Sequence, residues 1–386
     1  MKRFVTYIFV FLATISFAQN PLPLLAKNNP MPTDTLRILM IGNSFTEDAT
    51  EYIGGLIKNS PIDSRTCCVY VLTQGGAELK TWCLKYEDDT VSVSIRRKGG
   101  NLLMPVTKGS VRDILHQQWD IVSIQQVSMH SNNINTFIPW LQNLIGYIQT
   151  DCTNEAVKIC WHETWSYDVG MQSSGPKGEA GWYAIVSTVE EVLRITGIEL
   201  VIPSGTAIQN ARNTMLNTPH SLTRDGQHIA YGVGQYLLAC TVYEALFSPV
   251  YGVSVLGNNY RPLIMEYYKK DSRYEWVDVT DEFAEKSQIC AQEAVNNWNV
   301  LSEQKERTEN VSIFPNPTAD TVFIFLKGSD DITLCSIYDN NGKRVFKEKI
   351  PTNKVQAVDI SKLKRGIYSI QLKSGETIKI QKLEKL

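Results

Sequence analysis

"LRILMIGNSFTED", running from Leu36 to Asp48, decides how the rest of the chain is read. An apolar run, Ile38 to Ile41, stops at Gly42-Asn43-Ser44, and a helix-like stretch follows at once. A short, unbroken apolar run suits a strand buried on both faces of a parallel sheet. The turn admits two readings. Either Ser44 or Thr46 caps the helix that follows, or Ser44 is a nucleophile held at the end of a central strand.

Working outward, the pattern recurs. Strand-like residues 68–72 end at Gln74-Gly75-Gly76, 120–124 at Gln125-Gln126, 156–161 at His162-Glu163-Thr164, and 198–202 at Pro203-Ser204-Gly205. Helical spacing marks 48–59, 182–196 and the stretch from Ile229 to Phe247. Five short apolar strands separated by helices predict an α/β fold, a five-stranded parallel sheet covered by helices on both faces. Right-handed crossovers bring the strand ends to one rim, where ligands bind in such sheets. Residues 86–97 alternate polar and apolar, as an inserted strand or hairpin would, and 166–181 form a long Gly- and Ser-containing loop. Both are placed to shape a cleft.

The chain has 386 residues, more than one core usually serves, so two domains are expected. Its net charge of −2 gives no long-range attraction for nucleic acid or an anionic membrane. "MKRFVTYIFVFLATISFAQN" opens with Lys2 and Arg3, continues with an apolar run, and ends with small residues at 16 and 18. That layout predicts an export signal over 1–18 and a lead-in over 19–35, and the run is too short for a comfortable membrane span. No later stretch is long and apolar enough to cross a bilayer. Eight Cys in an exported chain permit disulfides. Cys67, Cys68 and Cys160 in strand-like runs and Cys240 in a helix read as small buried thiols, while a Cys152–Cys160 pair stays open. No zinc-type spacing occurs, so neither metal nor cofactor is expected.

"TRDGQHIAYG" sets Asp225 and His228 three apart at an expected helix start. A carboxylate on one imidazole nitrogen fixes the tautomer and leaves the other nitrogen to take a proton from Ser44. The alternative is that Asp225 is a helix N-cap and His228 a packed or surface histidine. His162 with Glu163 is a rival acid–base pair, and His130 also lies just past a strand end. His116 and His220 read as an exposed helix residue and a loop residue.

Gly42-Asn43-Ser44-Phe45, Gly75-Gly76, Gln125-Gln126 and Asp225-Gly226-Gln227-His228 together resemble the SGNH, or GDSL-like, hydrolase superfamily. "IGNSFTED", "QGGAEL", "WDIVSIQQVS", "ETWSY" and "DGQHIAYGVGQYLL" are similar to a Bacteroidetes-rich branch of it, catalogued as a domain of unknown function. The resemblance covers 36–257. It implies a flavodoxin-like three-layer α/β/α sandwich, with Ser44 as nucleophile, His228 as base and Asp225 as its orienting acid. It also implies an oxyanion hole from the N–H groups of Ser44 and Gly76 or Gly75, with a side chain of Gln125 or Gln126 as third donor. The chain departs from the pattern in two places. Asn43 stands where the family has Asp, and no Gly-x-Asn-Asp follows the third strand. The expectation is a secreted or surface serine esterase acting on acetyl or methyl esters, of a polysaccharide or a small acyl compound. Asn43, Trp165 and Tyr167 are the expected substrate contacts, the two aromatic rings as stacking surfaces for sugar. A non-catalytic glycan-binding or surface-display protein, and a lipase or thioesterase, are the competing readings.

The hydrolase-like unit is expected over 36–300 and a charged linker over 301–310. From Val311 the texture changes to short β-rich runs separated by turns, which predicts a small all-β sandwich over 311–386. Phe314-Pro315-Asn316-Pro317-Thr318, Tyr338-Asp339 with Gly342, Asp359-Ile360-Ser361 with Leu363, and Gly366-Ile367-Tyr368 resemble the type A sorting domain of the type IX secretion system. That implies the secretion machinery as partner and passage across the outer membrane. A carbohydrate-binding or spacer sandwich is the alternative.

Overall fold

The computed structural model describes residues 35–100, 108–264, 274–305, 311–314, 318, 320–326, 332–351, 356–374 and 377–386. The expected export signal, nearly all of the lead-in and residues 306–310 of the expected linker lie outside them. The central sheet contains β1 (Leu36–Gly42), β2 (Cys67–Thr73), β3 (Arg96–Gly100), β4 (Ile121–Ile124), β5 (Lys158–Glu163) and β6 (Leu200–Pro203). Their order across the sheet is β3-β2-β1-β4-β5-β6. Five are parallel, and β3 closes one edge antiparallel to β2. The sheet therefore has six strands where five were expected. The extra strand comes from the end of the alternating segment, whose start is instead the last turn of a helix, Leu79–Glu87. β1 lies between β2 and β4, so successive crossovers leave it in opposite directions. Ser44 thus follows the strand at the switch point, where open α/β sheets form their crevice.

Strand side chains alternate between two cores, as a pleat requires. Leu36, Ile38 and Met40 join a cluster with Phe45 and Ala49 of α1 (Ser44–Thr50) and Leu56 of α2 (Ile53–Lys58). Leu39 and Ile41 join the opposite cluster with Trp82 of α3 (Leu79–Glu87), Ile114 of α4 (Val111–Leu115), Leu144 of α5 (Trp140–Asp151) and Val189 of α6 (Gly178–Thr196). α7 (Ser204–Arg212), α8 (Val233–Leu246) and α9 (Asp281–Lys305) complete the first layer. Each fully buried aliphatic side chain contributes about 1.5–3 kcal/mol. Every residue of α8 is buried, which explains why its sequence is apolar nearly all round. α9 runs through Lys305, into the segment expected as linker.

The exposed edge strand β3 carries Arg96, Arg97 and Lys98, which blunt it against pairing with another sheet. Lys98 Nζ also reaches Glu47 at 2.6 Å and Glu51 at 2.7 Å, tying the edge to α1. The C-terminal region is antiparallel β structure in two sheets, of three and four strands, around its own core of Val322, Ile337, Val358 and Ile370. All eight Cys are unpaired and buried. No helix among the described residues is long and apolar enough to cross a membrane.

Candidate active site

At the end of β1 the chain turns at once into α1, with Ser44 as the first helical residue, earlier than the start near Asp48 that spacing suggested. Asn43 organises the turn. Its Oδ1 accepts from the Phe45 N–H at 3.0 Å and from Gln125 Nε2 at 2.9 Å, and its Nδ2 donates to the Ala77 carbonyl at 2.9 Å. Gly42 is required by crowding, because a Cβ there would lie 2.1 Å from Thr46 Oγ1. Between Ile41 and Thr46 only the Ser44 side is partly open to solvent.

Asp225 and His228 do not start a helix. They occupy a loop pinched by a bridge between Thr223 and Ile229, with the Arg224 N–H bonded to the His228 carbonyl at 2.9 Å. α8 begins only after Gly232, whose φ of 78° lies in the left-handed region that glycine tolerates. Asp225 is therefore no helix cap. Its Oδ1 accepts from the N–H groups of Gln227 (3.0 Å) and His228 (2.7 Å), closing a tight turn. Its Oδ2 lies 2.8 Å from His228 Nδ1, and His228 Nε2 lies 3.0 Å from Ser44 Oγ. The three side chains named from the sequence thus meet in one chain of hydrogen bonds. Partial burial works to raise the Asp225 carboxyl, but the side-chain and backbone bonds from His228 outweigh it and hold it at about 2. The group is ionised at neutral pH.

A buried aromatic ring holds this loop, and a second packs beside it. Trp165 stacks on Phe45, centroids 3.9 Å apart, and donates from Nε1 to the Gln227 carbonyl at 2.8 Å. The 166–181 loop adds a bond from the Asp168 N–H to the Gly226 carbonyl at 2.8 Å. Tyr167 lies edge-on to Phe45 and pairs its hydroxyl with Ser128 Oγ at 2.8 Å.

Several sequence expectations are corrected by this geometry. Asn43, Trp165 and Tyr167 were expected to touch substrate, but they are buried at 2%, 0% and 1% exposure, and their polar atoms are engaged within the framework. Gln125 and Gln126 were candidates for the third oxyanion donor, yet neither amide faces the site. Gln125 is fixed between Thr46 and Asn43. Gln126 accepts from the Leu79 and Val127 N–H groups and donates to the Thr136 carbonyl. Gly75 and Gly76 lie exposed in the turn after β2, with open space where a Cβ would stand, and Gly76 has φ 67°. The Ser44 N–H, at the first position of α1, has no intrahelical acceptor.

The rival pair does not form. His162 is buried, and its Nε2 contacts Ser204 Oγ at 2.9 Å. Glu163 is buried on Thr206. Burial drives His162 down to about 3 and Glu163 up to about 8, so both are neutral at pH 7. His130 meets Glu78 at 3.2 Å, and His220 meets Glu275 at 3.2 Å. His116 Nδ1 lies 3.1 Å from the Asp151 carbonyl. Among the described residues no three His, Cys, Asp or Glu come together as metal ligands would.

Sequence reading missed Asp48 and Arg224. Arg224 Nη1 lies 3.1 and 3.0 Å from the two Asp48 carboxylate oxygens, and both side chains are nearly buried. The signal was present: opposite charges one helical turn after Ser44 and one residue before Asp225.

Residues 37–277 match the family model described as a domain of unknown function (DUF4886), and 312–385 match the secretion system C-terminal sorting domain. A crystal structure of a DUF4886 family protein from Bacteroides uniformis ATCC 8492, at 1.50 Å, is similar in fold and sequence. The identity is 26% and the TM-score 0.56, over 68% of this chain and 95% of that one. No curated protein matches.

Proposed function

Because the chain belongs to the DUF4886 family and carries a sorting domain that marks it for secretion or the cell surface, we propose that it is an exported serine esterase of the SGNH type. The observation that carries this reading is the pair of contacts joining Ser44 Oγ to His228 Nε2 (3.0 Å) and His228 Nδ1 to Asp225 Oδ2 (2.8 Å). In that arrangement Ser44 Oγ attacks an ester carbonyl carbon while its proton passes to His228 Nε2. The tetrahedral intermediate collapses, and the alcohol leaves with that proton. Water then hydrolyses the acyl-serine by the same route. Asp225, ionised, stabilises the imidazolium through Nδ1.

The oxyanion falls to backbone donors, the N–H groups of Ser44 and of Gly76 or Gly75. Each such donor typically contributes about 3 kcal/mol. With Trp165 and Tyr167 buried, stacking on sugar no longer supports a polysaccharide substrate. That part of the reading, acetyl or methyl esters of a glycan, rests only on the association of export with an esterase fold.

A second reading, a non-catalytic surface protein on the same fold, is favoured by the engagement of both glutamines away from the site. Hydrolysis of p-nitrophenyl acetate by the purified protein, beside Ser44→Ala, separates the two. The esterase reading expects a loss of about 10⁴-fold or more in the variant. Equal rates for both proteins, on this ester and on acetylated and methyl-esterified glycans, would leave the non-catalytic reading.

A further inference from the structure

The loop bearing Asp225 and His228 is joined to the helix bearing Ser44 by two direct polar links among the described residues. One is the Ser44–His228 contact itself. The other is the buried ion pair of Arg224 and Asp48, whose side chains are 11% and 6% exposed. We infer that Arg224 and Asp48 are positioning residues, an ionic clamp that sets the distance between Ser44 Oγ and His228 Nε2. The catalytic consequence rests on the esterase reading, whereas the clamp itself is a statement about geometry.

The surroundings suit a fixed element. Arg224 Nη1 bridges both Asp48 oxygens and also donates to the Ile229 carbonyl, so one guanidinium closes the His loop on itself and onto α1. Its Cζ lies over the Tyr231 ring, 4.4 Å from the centroid. Asp48 Oδ1 takes a further bond from Gln235 Nε2 at 2.9 Å, and Gln235 Oε1 accepts from the Tyr52 hydroxyl at 3.0 Å. The carboxylate is thereby held from the His loop and from α8. Arg224 directly precedes Asp225, and Asp48 stands one turn beyond Ser44. Movement at either end of the pair is therefore transmitted within a few bonds to the reacting atoms. A buried ion pair is weak evidence for stability, because apolar residues of similar volume often serve a fold as well. Placement beside both halves of the site is what a clamp requires.

The test uses the intact protein with Asp48→Asn, Arg224→Met and Arg224→Lys. A fluorophosphonate probe forms a P–O bond to Ser44 Oγ, releases fluoride, and needs the serine proton removed. Amide hydrogen exchange over 222–230 reads the loop without reference to chemistry. The clamp expects the saturating labelling rate to fall by about 10²-fold in Asp48→Asn and Arg224→Met, with probe affinity little changed. Arg224→Lys, which keeps a charged donor and loses the guanidinium packed over Tyr231, should recover part of that rate. Exchange should quicken over 222–230 while the central strands keep their protection. Unchanged rates and exchange would overturn the clamp, as would a uniform rise in exchange across the domain, which reports general destabilisation. If the wild-type protein is not labelled at Ser44 at all, the esterase reading falls, and the exchange pattern alone decides the clamp.

Discussion

Asn43 uses both ends of its amide on the strand-to-helix turn, accepting from Phe45 and Gln125 and donating to Ala77. This gives a physical reason for the departure from the Asp of the hydrolase pattern. A carboxylate at 43 would set an oxygen against the Ala77 carbonyl where an N–H now stands. Asn43→Asp is predicted to cost about 1–3 kcal/mol, read as a lower urea midpoint with an unchanged slope. Gly42→Ala makes a second test of the turn. Its Cβ would fall 2.1 Å from Thr46 Oγ1 and 2.9 Å from Gln125 Cδ, disrupting the bond between them. Overpacking of this kind costs about 1–3 kcal/mol. Because the turn also aims Ser44, the esterase reading predicts that fluorophosphonate labelling at Ser44 falls in the same variant.

At the scale of elements, the end of β5 carries two buried titrating groups with opposite pH slopes. Glu163 sits at about 8 in the fold against 4.5 in the unfolded chain, so it favours the fold below 4.5 and loses that contribution as pH rises to about 8. His162 sits at about 3 against 6.5, so its contribution is complete above 6.5 and is lost as pH falls to about 3. The slopes cancel between 4.5 and 6.5, and a plateau of stability is expected there, with decline on either side. Glu163→Gln should remove the alkaline decline and leave the acid one, as followed by melting temperature from pH 4 to pH 9. These elements also show what the sequence could reveal. The parallel strands were legible because each is a short apolar run ending in turn residues, and Ser44 followed from the end of the first, whereas Asp225 and His228 were picked out by their three-residue spacing and the family resemblance. The loop form of 222–230 was not legible, since an Asp four residues ahead of an apolar periodic stretch also reads as a helix cap. Nor was the inward orientation of Gln125 and Gln126. Past a strand's last paired residue, alternation no longer governs direction, and both amides turned toward unsatisfied backbone and side-chain groups.

Across the whole molecule, eight thiols are buried and unpaired, although an exported chain is permitted to cross-link them. Desolvation pushes Cys67, Cys83 and Cys335 up to about 12 and Cys68 and Cys290 up to about 11, so little thiolate is present at pH 8. The native protein should leave Ellman's reagent unreacted, release all eight thiols in guanidinium, and melt at the same temperature with and without a reductant. The spacing of the site has a different consequence. Asp225 and His228 are three residues apart, whereas Ser44 and His228 are separated by 184 positions. The acid–base couple can assemble from a single local turn, early and almost without loop-closure cost. Its meeting with the serine waits until both ends of the domain are in place. A nascent chain, or one kept open for passage through a membrane, carries that couple with no serine to act on. On the proposed esterase reading, competence then arrives only when the two ends of the domain have folded together, a delay set by the 184 positions between Ser44 and His228.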